Sequence, residues 1–395
     1  MTAKKIIGTT HLWLGLTSGL VVFILGLTGC LLAFEYEIKD AIYKDRYFTQ
    51  PQQSPKLSLQ QLLPLAQQAI GKAYPINSID IDEANNRTIA FSAAKENPDG
   101  WNYFNALEYS YVVYLNPYTG KVLKVENAKI ELFRVILIVH YDLLLEQTGK
   151  KIIGWSTVVF IVMLLTGLIL WWPKNKAAAR QRFSFKWKKT TKWKRKNYDL
   201  HNILGFYALI FALLIALTGL VWAFPAFDNS VQWIANGGES TETEKTYTSD
   251  TTNTSIQYSV YDAILGDMKN RNRNDNIFYI GIPEAKKDAI YGYSEEGRSG
   301  YHWTTYSYDQ YTGKNLDIKY YKDKQTGEKL RNMNYFIHTG TILGLPGKIL
   351  AFIVSFICSG LPITGFYIWW GRRKKNVSKR SVITPSHALN KRIPA

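Results

Sequence analysis

Four apolar runs, each long enough to cross a bilayer, constrain this chain of 395 residues more than any other feature. About 20 apolar residues in a helix span the roughly 30 Å hydrocarbon core of a membrane. We therefore predict four transmembrane helices, over residues 12–34, 152–172, 202–224 and 348–370. Tryptophan pairs close the second and fourth runs, which is typical of a membrane–water boundary.

The formal net charge of +17 is concentrated in three short segments. Lys4 and Lys5 precede the first apolar run, and segments 173–197 and 371–395 contain many Lys and Arg but no Asp or Glu. Cytoplasmic segments of membrane proteins carry this excess. We therefore expect a multi-pass protein of the bacterial inner membrane with both termini in the cytoplasm. Membrane lipid then accounts for the basic segments, and no nucleic-acid partner is expected.

Residues 25–30, LGLTGC, match the cleavage motif of a bacterial lipoprotein. The apolar run nevertheless continues to Phe34, and it is longer than the core of about 7–15 residues found in signal peptides. We therefore predict that this helix stays in the protein. Cys30 and Cys358 both lie in apolar runs, without zinc-site or CxxC spacing, and are interpreted as packing residues.

The chain repeats its own pattern. The motifs HLWLG and HNILG each lead to LTG, and two further histidines each precede a Thr-Gly step by 26 positions. The matched residues are His11 with Thr28, His201 with Thr218, His140 with Thr166, and His338 with Thr364. The turns YTG at 118–120 and 311–313 also match. We predict a direct duplication of helix, outer domain and helix, in which Thr-Gly steps allow close helix packing.

The predicted fold is an α-helical membrane protein with two extracytoplasmic α+β domains. Its segments are 1–34, 35–151 (first outer domain), 152–172, 173–201 (basic cytoplasmic loop), 202–224, 225–347 (second outer domain), 348–370 and 371–395 (basic tail). Periodicity predicts outer helices over 57–73 and 258–268, strands near 87–92, 109–115, 276–282 and 304–308, and a polar loop over 237–255.

Four of the six histidines occupy matched positions. In the predicted topology His11 and His201 lie at the cytoplasmic side, and His140 and His338 lie at the outer side. Paired imidazoles suit the two axial positions of a haem iron. Gly15 and Gly205 lie four residues after their histidines, where they leave room for a flat ring, and the lack of CxxCH indicates b-type haem.

Three other interpretations of individual residues accompany this one. His302 and His387 are expected to be structural. Zinc or copper ions are an alternative for the four matched histidines, but two histidines per face are few for a tetrahedral site. Outer aromatic residues either line a binding cleft or pack in a sheet core; these are Trp101, Tyr103, Phe104, Tyr109, Tyr111, Trp303, Tyr306 and Tyr308.

The HLWLG and HNILG motifs, the YTG turns and the TG…WW endings resemble the PepSY-associated transmembrane protein family over nearly the whole chain, from about Lys4 to Arg373. The resemblance implies PepSY-like outer lobes. Some members are iron-regulated, and a subset are haem-containing ferric-siderophore reductases. By this resemblance His11 and His201 would bind one haem b, and His140 and His338 a second. Other PepSY proteins inhibit or regulate peptidases.

These features favour a transmembrane electron carrier that reduces a ferric siderophore or another iron chelate. Its cytoplasmic segments are too short for a nicotinamide or flavin domain, so a separate cytoplasmic reductase or a membrane quinol would donate the electrons. The first alternative is a PepSY scaffold or regulator of a periplasmic partner, without redox activity. The second is a transporter, which the lack of midplane charges disfavours.

Overall fold

The structure is a computed structural model that describes residues 2–243, 245–252, 258–297 and 300–380, with side chains as far as Arg373. The helices are α1 (Ala3–Leu32), α2 (Glu35–Ile42), α3 (Lys44–Tyr47), α4 (Leu59–Ile70), α5 (Tyr103–Ala106), α6 (Leu132–Asp142), α7 (Glu146–Trp171), α8 (Lys176–Arg182), α9 (Trp193–Asp199), α10 (Gly205–Ala223), α11 (Pro225–Ala235), α12 (Ser259–Arg271), α13 (Thr326–His338) and α14 (Gly344–Arg380). The strands are β1 (Ser78–Asp82), β2 (Ile89–Glu96), β3 (Leu107–Leu115), β4 (Val122–Asn127), β5 (Ile277–Gly281), β6 (Ile290–Glu295), β7 (Thr304–Tyr308) and β8 (Asn315–Lys319).

Four helical segments are long and apolar enough to cross a membrane, which confirms the four predicted helices. They cover Ala3–Leu32, Glu146–Trp171, Trp193–Ala223 and Thr341–Arg373. Each begins before the predicted apolar run. Polar and basic residues such as Lys4 and Lys5 continue a helix readily, so an apolar run does not mark where the helix begins.

The chain divides into two compact units. Of the described residues, the helix unit comprises 2–27, 158–213 and 354–380, and the sheet unit comprises those within Thr28–Thr157 and Leu214–Ile353.

In the helix unit, four helices pack as a closed ring in chain order. A Cβ on Gly15 of α1 would lie 2.9 Å from Met163 of α7, so these two helices touch there. Trp171 of α7 stacks on Phe206 of α10 with ring centres 3.9 Å apart. Residues of α10 and α14 touch at Gly205, and residues of α14 and α1 touch at Gly26. The first and third spans therefore lie on opposite sides of the ring.

The closest of these helix contacts is the one between α1 and α14 at Gly26. A Cβ at this position would lie 2.7 Å from the backbone nitrogen of Ser359, so only glycine allows the two backbones to approach. Gly15 and Gly19 lie one turn apart on α1 but contact two different neighbours, because Gly15 faces α7 and Gly19 faces Pro362 of α14.

In the sheet unit, the two outer segments build one antiparallel sheet of eight strands in the order β4-β3-β2-β1-β5-β6-β7-β8. Two outer α+β domains were predicted, and in the structure β1 of one segment pairs with β5 of the other, from Ser78↔Gly281 to Asp82↔Ile277. An unpaired edge strand exposes free N–H and C=O groups, and pairing the two edges removes that cost. Each outer segment thus contributes four strands to a shared structure.

One face of this sheet carries the core. Helix α4 buries Leu59, Leu62, Leu63 and Ala66, a spacing that places all four on one side of the helix. They pack with sheet residues such as Phe91 and Phe278 in a single apolar cluster. Asp262 of α12 accepts hydrogen bonds from the backbone N–H groups of Leu59 and Gln60, and so it caps α4.

The two YTG turns have the same geometry. Asn116 accepts hydrogen bonds from the backbone of Tyr118 and Thr119, and Asp309 accepts from the backbone of Tyr311 and Thr312. Gly120 and Gly313 follow with φ of +68° and +66°, a conformation that glycine adopts without strain. This likeness supports the duplication, which stays a prediction.

The predicted outer helices and strands are present with shifted ends. Helix 57–73 is shorter, over Leu59–Ile70, because Ser58 and Gln61 form a capping box and Gly71 ends the helix. Of the predicted loop over 237–255, residues 244 and 253–255 lie outside the described residues. Its described part contains an isolated bridge between Thr248 and Asp288.

Candidate functional site

Each of the four matched histidines is bonded through Nδ1 to the threonine of a Thr-Gly step. In the helix unit His11 lies 2.9 Å from Oγ1 of Thr166, and His201 lies 2.9 Å from Oγ1 of Thr364. In the sheet unit His140 lies 2.8 Å from Oγ1 of Thr28, and His338 lies 2.9 Å from Oγ1 of Thr218. We call the first two histidines the span pair, because membrane-length helices carry them, and the last two the flank pair.

The glycine of the Thr-Gly step makes room for the imidazole. A Cβ on Gly167 would lie 3.3 Å from Cε1 of His11, and one on Gly365 would lie 3.2 Å from Cε1 of His201. At Gly219 the corresponding distance to His338 is 3.6 Å. The Thr-Gly steps therefore hold histidines, which sequence reasoning missed when it assigned them to helix packing alone.

The span pair lines a cavity of about 370 Å³ in the helix unit. This volume lies within the range of about 300–1,000 Å³ that is usual for ligand and cofactor sites. Its wall is rich in apolar side chains and glycines, and Gly15 and Gly205 both line it as predicted residues of the site. His11 and His201 thus face one shared space from opposite sides of the helix ring.

Helix geometry at the two members of the span pair differs. His11 lies within the continuous helix α1, whereas His201 lies in a π-helical turn, Leu200–Leu204, between α9 and α10. Such turns are frequent at functional sites, because the extra residue re-aims the side chains around it. The side chain of Asn197, one turn earlier, donates to the carbonyl of Thr364, next to the threonine that holds His201.

In the flank pair the two rings lie close together. The ring centres of His140 and His338 are 6.2 Å apart with an interplanar angle of 69°. The indole of Trp222 packs edge-on against His338 at 5.2 Å. Desolvation lowers the pKa of His338 to about 4, so its imidazole is neutral at physiological pH, the form that binds a metal ion.

A strained turn follows His140. Leu143, Leu144 and Glu146 have φ of 57°, 63° and 50°, a region that costs a non-glycine residue about 1–2 kcal/mol. The surroundings hold the turn, because Tyr103 donates its backbone N–H to the carbonyl of Leu144 at 3.0 Å. Strain of this kind often accompanies functional sites, and here it sets the end of α6 that carries His140.

The residues present fit a haem held between two histidines. In the flank pair the ring centres are 6.2 Å apart, so the two imidazoles are near enough to contact one shared group. In the cavity wall of the span pair, Trp171 is 4% exposed, and its Nε1 has no hydrogen-bond partner among the described residues. Arg372 lines the same cavity.

Other metal sites are not evident. Among the described residues, no group of three or more His, Cys, Asp or Glu is arranged to hold a metal ion. His302 packs its ring against Tyr301 and Tyr321, in line with a structural role. His387 lies outside the described residues. Cys30 and Cys358 are both buried.

For the outer aromatic residues the sequence left a binding cleft and a sheet core open, and burial decides for a packed core at three of them. Tyr103, Tyr306 and Tyr308 are almost fully buried and belong to packed interiors, whereas Trp101 is 71% exposed. Alternation along β7 places Tyr306 and Tyr308 on its buried face, so they are core residues. The cleft interpretation is wrong for these three tyrosines.

The threonine partners are residues of the candidate site that the sequence analysis assigned only to helix packing. A usable signal was present, because Thr28 and Thr218 each lie 17 residues after a histidine, and Thr166 and Thr364 each lie 26 residues after another. In the structure each histidine contacts a different threonine from the one that follows it by 17 or 26 residues in the sequence. His11 of α1 meets Thr166 of α7, and the spacing within one helix did not predict a contact between antiparallel helices.

A family model described as the PepSY-associated TM region matches residues 9–372. No curated protein matches the chain. The matched segment includes all four threonine-bonded histidines and both outer segments. The chain belongs to the PepSY-associated TM family.

Proposed function

We propose that this protein is a b-haem membrane protein that carries electrons across the inner membrane to an extracytoplasmic acceptor. The single observation that carries the proposal is the set of four histidines, each bonded through Nδ1 to a threonine and arranged as two pairs. Two imidazoles per pair would hold a haem iron from both sides, and such ligation would favour electron transfer over oxygen binding.

His11 and His201 would hold one haem, with Gly15 and Gly205 against its flat face, and His140 and His338 would hold the other. Haem iron supplies one-electron redox chemistry when bound. The chain itself positions the histidines and excludes water with the apolar wall of the span-pair cavity. Trp171 and Arg372 would donate hydrogen bonds to the acidic groups of a haem bound in that cavity. No side chain has to act as a nucleophile or general base.

The favoured acceptor is ferric iron in a siderophore or another chelate, and a cytoplasmic reductase or a membrane quinol would be the donor. One electron from the donor converts Fe(III) in the chelate to Fe(II). Hard oxygen ligands hold Fe(II) more weakly, so the metal can then leave. Membership of the PepSY-associated TM family and the basic segments at 173–197 and 371–395 support the membrane location and orientation.

A stopped-flow experiment tests this function. Detergent-purified protein, reduced with dithionite and freed from excess reductant, is mixed with a ferric hydroxamate chelate in the presence of ferrozine. We expect the haem bands to reoxidise as the Fe(II)–ferrozine colour forms, in equal amounts. A matched His338→Ala variant is expected to lose this transfer, whereas His302→Ala keeps it. Reduced haem that stays reduced with the chelate contradicts the proposed acceptor.

A further inference from the structure

We infer that Thr166, Thr364 and Thr218 are positioning residues that each accept the Nδ1–H of a histidine and leave its Nε2 lone pair as the ligand atom. The inference rests on the proposed function for what Nε2 would bind. The hydrogen-bond pattern that fixes the proton is independent of any cofactor.

The threonine hydroxyl protons are already used. Thr166 lies 2.8 Å from the carbonyl of Val162 in its own helix, and Thr364 lies 2.9 Å from that of Gly360. Thr218 lies 2.9 Å from the carbonyl of Ile215. A carbonyl oxygen can only accept, so each hydroxyl donates its one proton to the backbone. The oxygen that faces each histidine is therefore an acceptor, and Nδ1 must carry the hydrogen.

At His338 a backbone group enforces the same tautomer. Nδ1 of His338 also lies 3.0 Å from the carbonyl of Ile215, three residues before Thr218. The threonine hydroxyl oxygen and the backbone carbonyl three residues before it thus both accept a hydrogen bond from Nδ1. An imidazole held here with Nδ1 deprotonated would place a lone pair against two acceptors.

This acceptor has a defined chemical consequence. Ligand histidines usually donate their second N–H to an oxygen, which fixes the ring orientation and raises the basicity of the ligand nitrogen. Here each histidine and its threonine lie on two different helices of the same half of the chain. A haem would then join the two halves to each other, since the partner histidine belongs to the other half.

The experiment compares four full-length proteins: wild type, Thr364→Val, Thr364→Ser and the control Thr17→Val. Thr17 also donates to carbonyls of its own helix, at 3.1 Å from Trp13 and Leu14, but it lies on the exposed side of α1. The first readout is the ¹⁵N spectrum of labelled histidine in cofactor-free protein, with His201 assigned from a His201→Ala sample. The second is haem retention during dilution, together with the midpoint potential.

We expect His201 of wild type to show a protonated Nδ1 and an unprotonated Nε2. Thr364→Val is expected to populate the other tautomer, to retain haem 10–100-fold more weakly and to raise the midpoint potential. Thr364→Ser, which keeps an acceptor oxygen, should behave as wild type, and so should Thr17→Val. If wild type binds no haem, the proposed function fails while the ¹⁵N spectrum still decides this inference. A protonated Nε2 in wild type, or no change of tautomer, retention and potential in Thr364→Val, overturns it.

Discussion

The span pair and the flank pair use the same threonine contact in different surroundings. His11 and His201 project from membrane-length helices into a cavity of about 370 Å³. His140 and His338 instead lie at the ends of the short helices α6 and α13, and their rings are already within 6.2 Å of each other. What the two pairs share is the acceptor on the Thr-Gly step.

The comparison teaches that the Thr-Gly step, rather than the element that carries the histidine, defines the position of the imidazole. A π-helical turn carries His201, a continuous α-helix carries His11, and the last turn of a short helix carries each of the other two. All four nevertheless reach the same atom of a threonine at 2.8–2.9 Å. Different backbones thus converge on one kind of contact.

The largest expected effect is that each pair loses its haem independently of the other pair. His201→Ala removes one imidazole of the span pair, and His338→Ala removes one of the flank pair. We expect each variant to keep one haem per chain and the double variant to keep none, measured by pyridine haemochrome per protein.

His302→Ala is the control, because this ring packs against tyrosines and is expected to leave both haems in place. If His201→Ala removes both haems, or neither, the two pairs are not separate sites, and the comparison between them fails.

A methyl group at the glycine of the Thr-Gly step should weaken haem retention more in the span pair than in the flank pair. In Gly365→Ala the new Cβ lies 3.2 Å from Cε1 of His201, which is closer than ordinary contact, so the imidazole must move. In Gly219→Ala the distance to His338 is 3.6 Å, which is ordinary van der Waals contact. We expect at least a several-fold weaker haem retention in Gly365→Ala and little change in Gly219→Ala. Equal losses in both variants would refute the role given to this glycine.

The smallest expected effect concerns the sheet unit alone. Burial, with a further contribution from Asp275, raises the pKa of Glu295 to about 7. The folded state therefore binds a proton that the unfolded state releases near pH 4.5, and stability falls as pH rises from about 4.5 to 7. Because Glu295 is partly exposed, we expect only about 1 kcal/mol from this group.

Glu295→Gln should therefore raise the thermal unfolding temperature at pH 7.5 and flatten its dependence on pH. Glu96→Gln, at the exposed end of β2, is the matched control and should leave both unchanged. The span-pair haem spectrum should not respond to either substitution. A variant Glu295→Gln that is less stable than wild type at pH 7.5 would show that the ionised carboxylate stabilises the sheet.

Much of the membrane part could be predicted from the sequence, because bilayer thickness and charge asymmetry impose simple rules on composition. The four spans followed from apolar length, and the four histidines followed from matched spacing to Thr-Gly steps. The turns at Gly120 and Gly313 were also readable, since an Asn or Asp two residues before a Tyr-Thr-Gly favours such turns.

The joining of the two outer segments was not predictable in the same way. Pairing between β1 and β5 connects residues about 200 positions apart, and alternation along a strand does not reveal its partner. The contact between His11 and Thr166 has the same difficulty, because it depends on which helices are neighbours. The role of Trp171 was hidden as well, since an unpartnered indole nitrogen appears only in three dimensions.

The most direct test of the central claim is a visible spectrum of the detergent-purified protein, oxidised and then reduced with dithionite, with a count of haem per chain. The account predicts a low-spin b-type spectrum and two haems, one for each threonine-bonded pair. A single haem would leave only one pair as a cofactor site. A colourless protein from cells with ample haem would contradict the account, and the histidines and threonines would then be structural residues of a PepSY scaffold.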